Sequence, residues 1–196
     1  MKKILFITAF LLFTCGWTGY AQEIDFSKYH HYNLTVGELN NNDLDFGSVV
    51  AGSGTHSLDI NNGKVVTITG VRYLDVIVEV NAQNSLYLNG NQGNSGDSQK
   101  SIPFTLQAAY ANGKGTPNVG QAKFITNISN NNFIIRFPVL DRQHEPPGPP
   151  PAPPTNAFDQ AKVEETAYLY LYGSINVGNV DAGPYSSQIT VTINYD

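Results

Sequence analysis

Tyr168-Leu169-Tyr170-Leu171-Tyr172 is the stretch on which the fold class turns. Side chains alternate along a strand, so both leucines go to one face and all three tyrosines to the other. The same period of two recurs on either side. Asp75 to Val80 puts Val76, Val78 and Val80 on one face and Ile77 on the other, and Ile102, Phe104, Leu106 and Ala108 share a face. Lys64 to Thr69 is rich in β-branched residues, and Leu86-Tyr87-Leu88 is a short strand. Strands are expected over Leu44 to Val49 and His56 to Ile60, the second running into an Asn61-Asn62-Gly63 hairpin signal. Ala122 to Ile128 and Phe133 to Val139 read as strands joined at Asn130-Asn131-Asn132. Tyr185 to Tyr195 reads as one closing strand, with Ile189, Val191, Ile193 and Tyr195 on a common face. Many short strands between turn signals predict an all-β sandwich or barrel, and the lack of intervening helices argues against parallel βαβ units.

The chain is 196 residues long, room for one ordinary domain. Lys2 and Lys3, the apolar run Ile4 to Phe13 and the small residues at Gly19 and Ala21 have the form of an export signal cut after Ala21. The apolar run falls short of the roughly 20 residues that a bilayer-crossing helix needs, so no transmembrane segment is expected. Leu12-Phe13-Thr14-Cys15 has the outline of a lipidation box with Thr where a small residue is usual, so Cys15 reads as part of the removed leader. Residues 22–43 form an extension ahead of the domain at 44–196. Pro146 to Pro154 is a proline tract unable to serve as a central strand, and it marks a loop insertion at about 141–163. That tract reads as a stiff polyproline spacer or, functionally, a docking site for a proline-recognition module.

The chemistry is sparse. The whole chain carries a formal charge of −5, and loss of Lys2 and Lys3 makes it more acidic, which disfavours nucleic-acid binding. Cys15 is the single cysteine, so a chain cut at Ala21 has no thiol catalysis, disulfide or thiolate metal site. His30 and His31 are adjacent, His56 and His144 are isolated, and none has the spacing of a metal site. Asp43 and Asp45 share a strand face, but a carboxylate pair for glycoside hydrolysis comes from separate elements, so they read as a polar strand start. No nucleophile elbow or phosphate-binding loop is present, and neither an enzyme nor a cofactor is expected.

The tyrosines leave two readings open. With Leu169 and Leu171 in the core, Tyr168, Tyr170 and Tyr172 form either an exposed ladder able to stack a glycan or bind a partner, or ordinary strand composition covered by the proline tract or a neighbouring loop.

The segment Val177 to Tyr195, with Ala182-Gly183-Pro184-Tyr185 turning into Val191-Thr192-Ile193-Asn194-Tyr195, resembles the closing strand of bacterial pilin-like sandwiches. Leu44-Asp45-Phe46-Gly47-Ser48-Val49 resembles the opening strand of the same group, an uncharacterised secreted family related to spore-coat protein U and to archaic chaperone–usher pilus subunits. The resemblance implies an immunoglobulin-like antiparallel β-sandwich and a fimbria-like structural or adhesive role at the cell surface, in the periplasm or outside the cell. Partners would then be further copies of the chain or another surface protein. Strand exchange is one route to such assembly: Ile24 and Phe26 alternate with acids, and Tyr32, Leu34 and Val36 alternate again, so this stretch could complete its own sheet or a neighbour's. The alternative function is a monomeric glycan-binding module built on Tyr168, Tyr170 and Tyr172.

Overall fold

Alternation becomes ladder along about half of the described residues. The computed structural model describes residues 33–39, 43–142 and 164–196, and these hold eleven strands and no α-helix. The strands are β1 (Thr35–Glu38), β2 (Gly54–Leu58), β3 (Lys64–Val71), β4 (Asp75–Ala82), β5 (Ser85–Leu88), β6 (Ser101–Ala111), β7 (Lys123–Phe124), β8 (Asn132–Pro138), β9 (Glu164–Val177), β10 (Tyr185–Ser186) and β11 (Ile189–Tyr195). One sheet of eight strands runs β1-β3-β9-β6-β5-β10, with β2 also on β9 and β7 also on β6; a second has three, β11-β4-β8. Val76, Val78, Val80, Phe133 and Phe137 of the small sheet share one core with Ile68, Ile102, Leu106, Leu169 and Leu171 of the large one. This is the all-β, sandwich-like antiparallel fold that the alternation predicts. The leader, Ile24, Phe26, Tyr32 and the proline tract lie outside the described residues, which end at Arg142 and resume at Glu164.

Strand β9 is the axis of the large sheet. Gly173 sits in it at a φ of 152°, and a Cβ there would stand 2.1 Å from the Thr105 carbonyl oxygen. Only glycine lets β6 and β9 close to that distance.

Three expectations are corrected. Asn61-Asn62-Gly63 does not turn a hairpin, because β2 and β3 both pair antiparallel with β9, at Gly173–Val177 and Glu164–Leu171, and so run end to end along one edge. The Asp59 carboxylate accepts from the Asn61 and Asn62 amides at 2.8 and 3.2 Å, making a local offset between collinear strands. Tyr185 to Tyr195 is not one strand. β10 pairs with β5 in the large sheet and β11 with β4 in the small one, so the chain changes sheet across Ser187-Gln188. Residues 44–49 form no strand either. The Asp45 carboxylate accepts from the Gly47 amide at 2.8 Å, and Gly47 has a φ of 71°, so the backbone turns where a ladder would need it straight.

The Asn130-Asn131 turn acts as a clasp between the sheets. Both residues have positive φ, which asparagine tolerates, and Asn132 returns its amide to Ser129. Buried Asn131 then reaches β6. Its amide nitrogen donates to the Phe104 and Gln83 carbonyls at 2.8 and 3.1 Å, and its side-chain oxygen accepts from the Leu106 amide at 2.8 Å. These bonds serve the stretch of β6 edge left between β5 and β7.

Candidate functional site

Strand β11 is finished on one side. Its ladder partner is β4, in register from Ile189 opposite Ala82 to Tyr195 opposite Val76. The Asp196 amide donates to Asp75, so by alternation Thr190, Thr192 and Asn194 also turn their peptide groups to β4. The peptide groups of Ile189, Val191 and Ile193 point the other way, where no ladder partner exists among the described residues. Their side chains face inward yet stay half-buried. The far end of the strand is anchored: Tyr195 Oη accepts from the Val71 amide at 2.9 Å, and the Asp196 carboxylate pairs with Arg136. The loose end is therefore the one holding Ile189 and Val191.

Beside that end a cleft of about 1310 Å³ opens between the sheets. Leu86, Ile102 and Phe104 of the large sheet form its apolar floor, with Ile189 and Val191 on one wall and Phe46 on another. Asp43, Asp45 and Asp181 stand around it, all exposed. Residues 43–49 line the cleft as a segment without a ladder, turned at Asp45–Gly47. Leu44, Phe46 and Val49 are half-buried against the core, and the Phe46 ring meets Phe104 edge to face at 6.1 Å between centroids.

The strand-exchange candidates divide. Leu34 packs against the core, and Val36 lies opposite Ile68 in the β1–β3 ladder of the same chain. Val36 shares the inward face with Ile68 but is 50% exposed, as expected where the six-strand path of the large sheet outreaches the three strands facing it. Ile24, Phe26 and Tyr32 lie outside the described residues.

The exposed-ladder expectation for the tyrosines is corrected. Tyr168, Tyr170 and Tyr172 do share the face opposite Leu169 and Leu171, but they are only 8%, 1% and 8% exposed. They form a second core with Ala109 and Ala111, closed by Ile60, Val65, Val119 and Ala122. The Asn112–Gly120 loop returns over them, and Tyr168 Oη donates to the Gly115 carbonyl at 3.1 Å. Tyr170 Oη is buried, and the Asn118 backbone approaches it without hydrogen-bond geometry. Burial raises all three phenol pKa values. No sugar ring can stack on this face as it stands.

Other polar groups read as structure. Ser53 Oγ lies 2.7 Å from His56 Nε2, joining an exposed serine just ahead of β2 to a half-buried histidine within it, and none of the described carboxylates bonds the histidine. Among the described residues no group of three histidines, cysteines or acids could hold a metal, and none of their helices is long and apolar enough to cross a membrane.

Sequence reasoning missed the cleft. The signal was present in Asp45 placed two residues before Gly47, a turn-forming pair inside an otherwise strand-like run.

No protein-family model matches the sequence, and no curated protein matches it. Among solved structures, a chain from work on a chaperone–tip adhesin complex in CFA/I fimbriae biogenesis is similar at 15% identity and a TM-score of 0.37. The match covers 84% of this chain but 43% of that one, too distant a superposition to transfer a residue or a role.

Proposed function

We propose that the protein is an exported, non-enzymatic structural subunit of the cell surface, fimbria-like in its assembly, that accepts a strand at the free edge of β11. The observation that carries this reading is the half-finished state of β11: outward peptide groups with no ladder partner among the described residues, half-buried inward side chains, and alongside them a cleft with an apolar floor and an acidic, polar rim. An added strand would bond to Ile189, Val191 and Ile193 and place every second side chain into the cleft. The occupant we favour is the 22–32 segment of another copy, where Ile24 and Phe26 alternate with acids. Leu34 and Val36 are less suited to donation because they already belong to the β1 side of their own sheet.

Deleting residues 22–32 and measuring mass by light scattering tests the reading. The full chain should form concentration-dependent oligomers, the deletion should be monomeric, and a synthetic peptide of residues 22–34 should cap the full chain. A full chain that stays monomeric at high concentration and ignores the peptide overturns it. The glycan-binding alternative now has less support, since the rings it would use lie under the 112–122 loop.

A further inference from the structure

We propose that residues 43–50 are a resident plug of the cleft, displaced when a strand adds to β11. The inference rests on the strand-accepting reading and specifies how that site is regulated. Among the described residues, 43–49 make no backbone–backbone hydrogen bond to either sheet. What holds them is the packing of Leu44, Phe46 and Val49 and the edge-to-face contact of Phe46 with Phe104. The turn from Asp45 to Gly47 keeps the segment out of register with β11 although its sequence alternates like a strand. The side chains therefore fill part of the space that an incoming strand needs, while the ladder positions stay vacant. An incoming strand offers both side chains and ladder bonds, so it can outcompete a segment that offers side chains alone.

The far end of the segment can swing. Gly52 and Gly54 both have positive φ, and Gly52 donates its amide to Gly178, which fixes the pivot just beyond Val50. Val50 is 74% exposed, so only the stretch before it needs to leave the core. A plug of this kind lowers the apparent affinity of the site by the fraction of time it is open. It would keep newly exported chains from associating at random.

The test uses the full chain with Phe46→Trp as a fluorescent reporter and Trp17→Phe so that the reporter is alone. The probe is the synthetic peptide of residues 22–34. Peptide addition should slow hydrogen exchange at Ile189, Val191 and Ile193, and the reporter emission should shift red with the same midpoint. Phe46→Ser should tighten peptide binding roughly tenfold or more. Because that change might unfold the domain, Asp45→Ala is the second variant. It removes the turn cap from an exposed position and should speed exchange at the Gly47 amide and tighten the peptide by a smaller factor. Protection of β11 with an unmoved reporter, or unchanged affinity in both variants, overturns the plug while leaving strand acceptance intact. No binding to the parent or to either variant overturns the plug and the proposed function together.

Discussion

Strands β9 and β11 look alike as sequence and meet opposite fates. Each alternates, Tyr-Leu-Tyr-Leu-Tyr in one and Ile-Thr-Val-Thr-Ile in the other. β9 is paired along both edges, by β3 and β2 on one side and β6 on the other, and residues 167–173 are buried on both faces. β11 is paired along one edge, and its inward residues are half-buried. The period of two says which side chains share a face. It does not say how many of the four sides of a strand will be covered. Covering is a tertiary property, supplied to β9 by a loop over its tyrosines and supplied to β11 on one edge only among the described residues.

The sharpest way to break the comparison is at glycine. Gly173→Ala on β9 drives a Cβ into the Thr105 carbonyl and should cost about 3 kcal/mol or more, enough to lose soluble protein. At Gly47, also of positive φ, a Cβ would meet nothing within 4 Å, so Gly47→Ala should cost only about 1 kcal/mol of backbone strain. Denaturant midpoints that failed to separate the two would remove the claim that one strand is closed and the other segment loosely held.

Leucine and valine truncations come next. Leu169→Ala, fully buried, should cost about 2–5 kcal/mol. Val191→Ala, half-buried, should cost roughly 1 kcal/mol in the monomer, and its larger effect should appear as weakened binding of the 22–34 peptide. Equal destabilisation of the monomer by both would mean that β11 is as enclosed as β9.

A smaller effect lies in alkaline solution. Burial raises the pKa of Tyr168, Tyr170, Tyr172 and Tyr195 above the free value of 10.0, so the fold favours the neutral phenol. Stability from these groups is complete below about pH 10, where the unfolded phenols begin to ionise. It drains away as pH rises through the folded values. Unfolding followed against pH should turn down above that point, and phenolate absorbance should lag behind that of free tyrosine. Tyr170→Phe is the smallest change expected. It removes a buried hydroxyl that has no partner among the described residues, so stability should hold or rise slightly. A marked loss would reveal a hydrogen bond at that oxygen.

Much of both sheets was legible where the inward faces alternate strictly, on β4 of the small sheet and β6 of the large one. Val76, Val78 and Val80, and Ile102, Phe104, Leu106 and Ala108, are all core as expected. Pairing was less legible. Asn61-Asn62-Gly63 carries a hairpin signal in its residues, but the long edge of β9 could take β2 and β3 in line, and only the partner's length decides between the two arrangements. The candidate site was the least legible part. Its opening depends on which strand ends a sheet, and nothing local to Ile189–Tyr195 records that position. The tyrosine cover was hidden for the same reason, since the loop that supplies Val119 and Ala122 is some fifty residues away in sequence and carries no sign of where it will lie.

The place of β9 in the sheet also sets a timetable. Its residues leave the ribosome after those of β3 and β6, which lean on it from either side; Thr69 and Thr166, whose hydroxyls meet at 2.8 Å, are 97 positions apart. Until Glu164–Val177 arrives, β3 has β1 and β6 has β5 and β7, but these groups have no centre to assemble around, and closing such distant pairs is slow. Nascent chains stopped before residue 164 should therefore leave the β9-facing amides of β3 and β6 unprotected from exchange. A polypeptide whose keystone follows the strands that lean on it stays threadable until that keystone is made, which is the condition in which any exported chain has to cross a membrane.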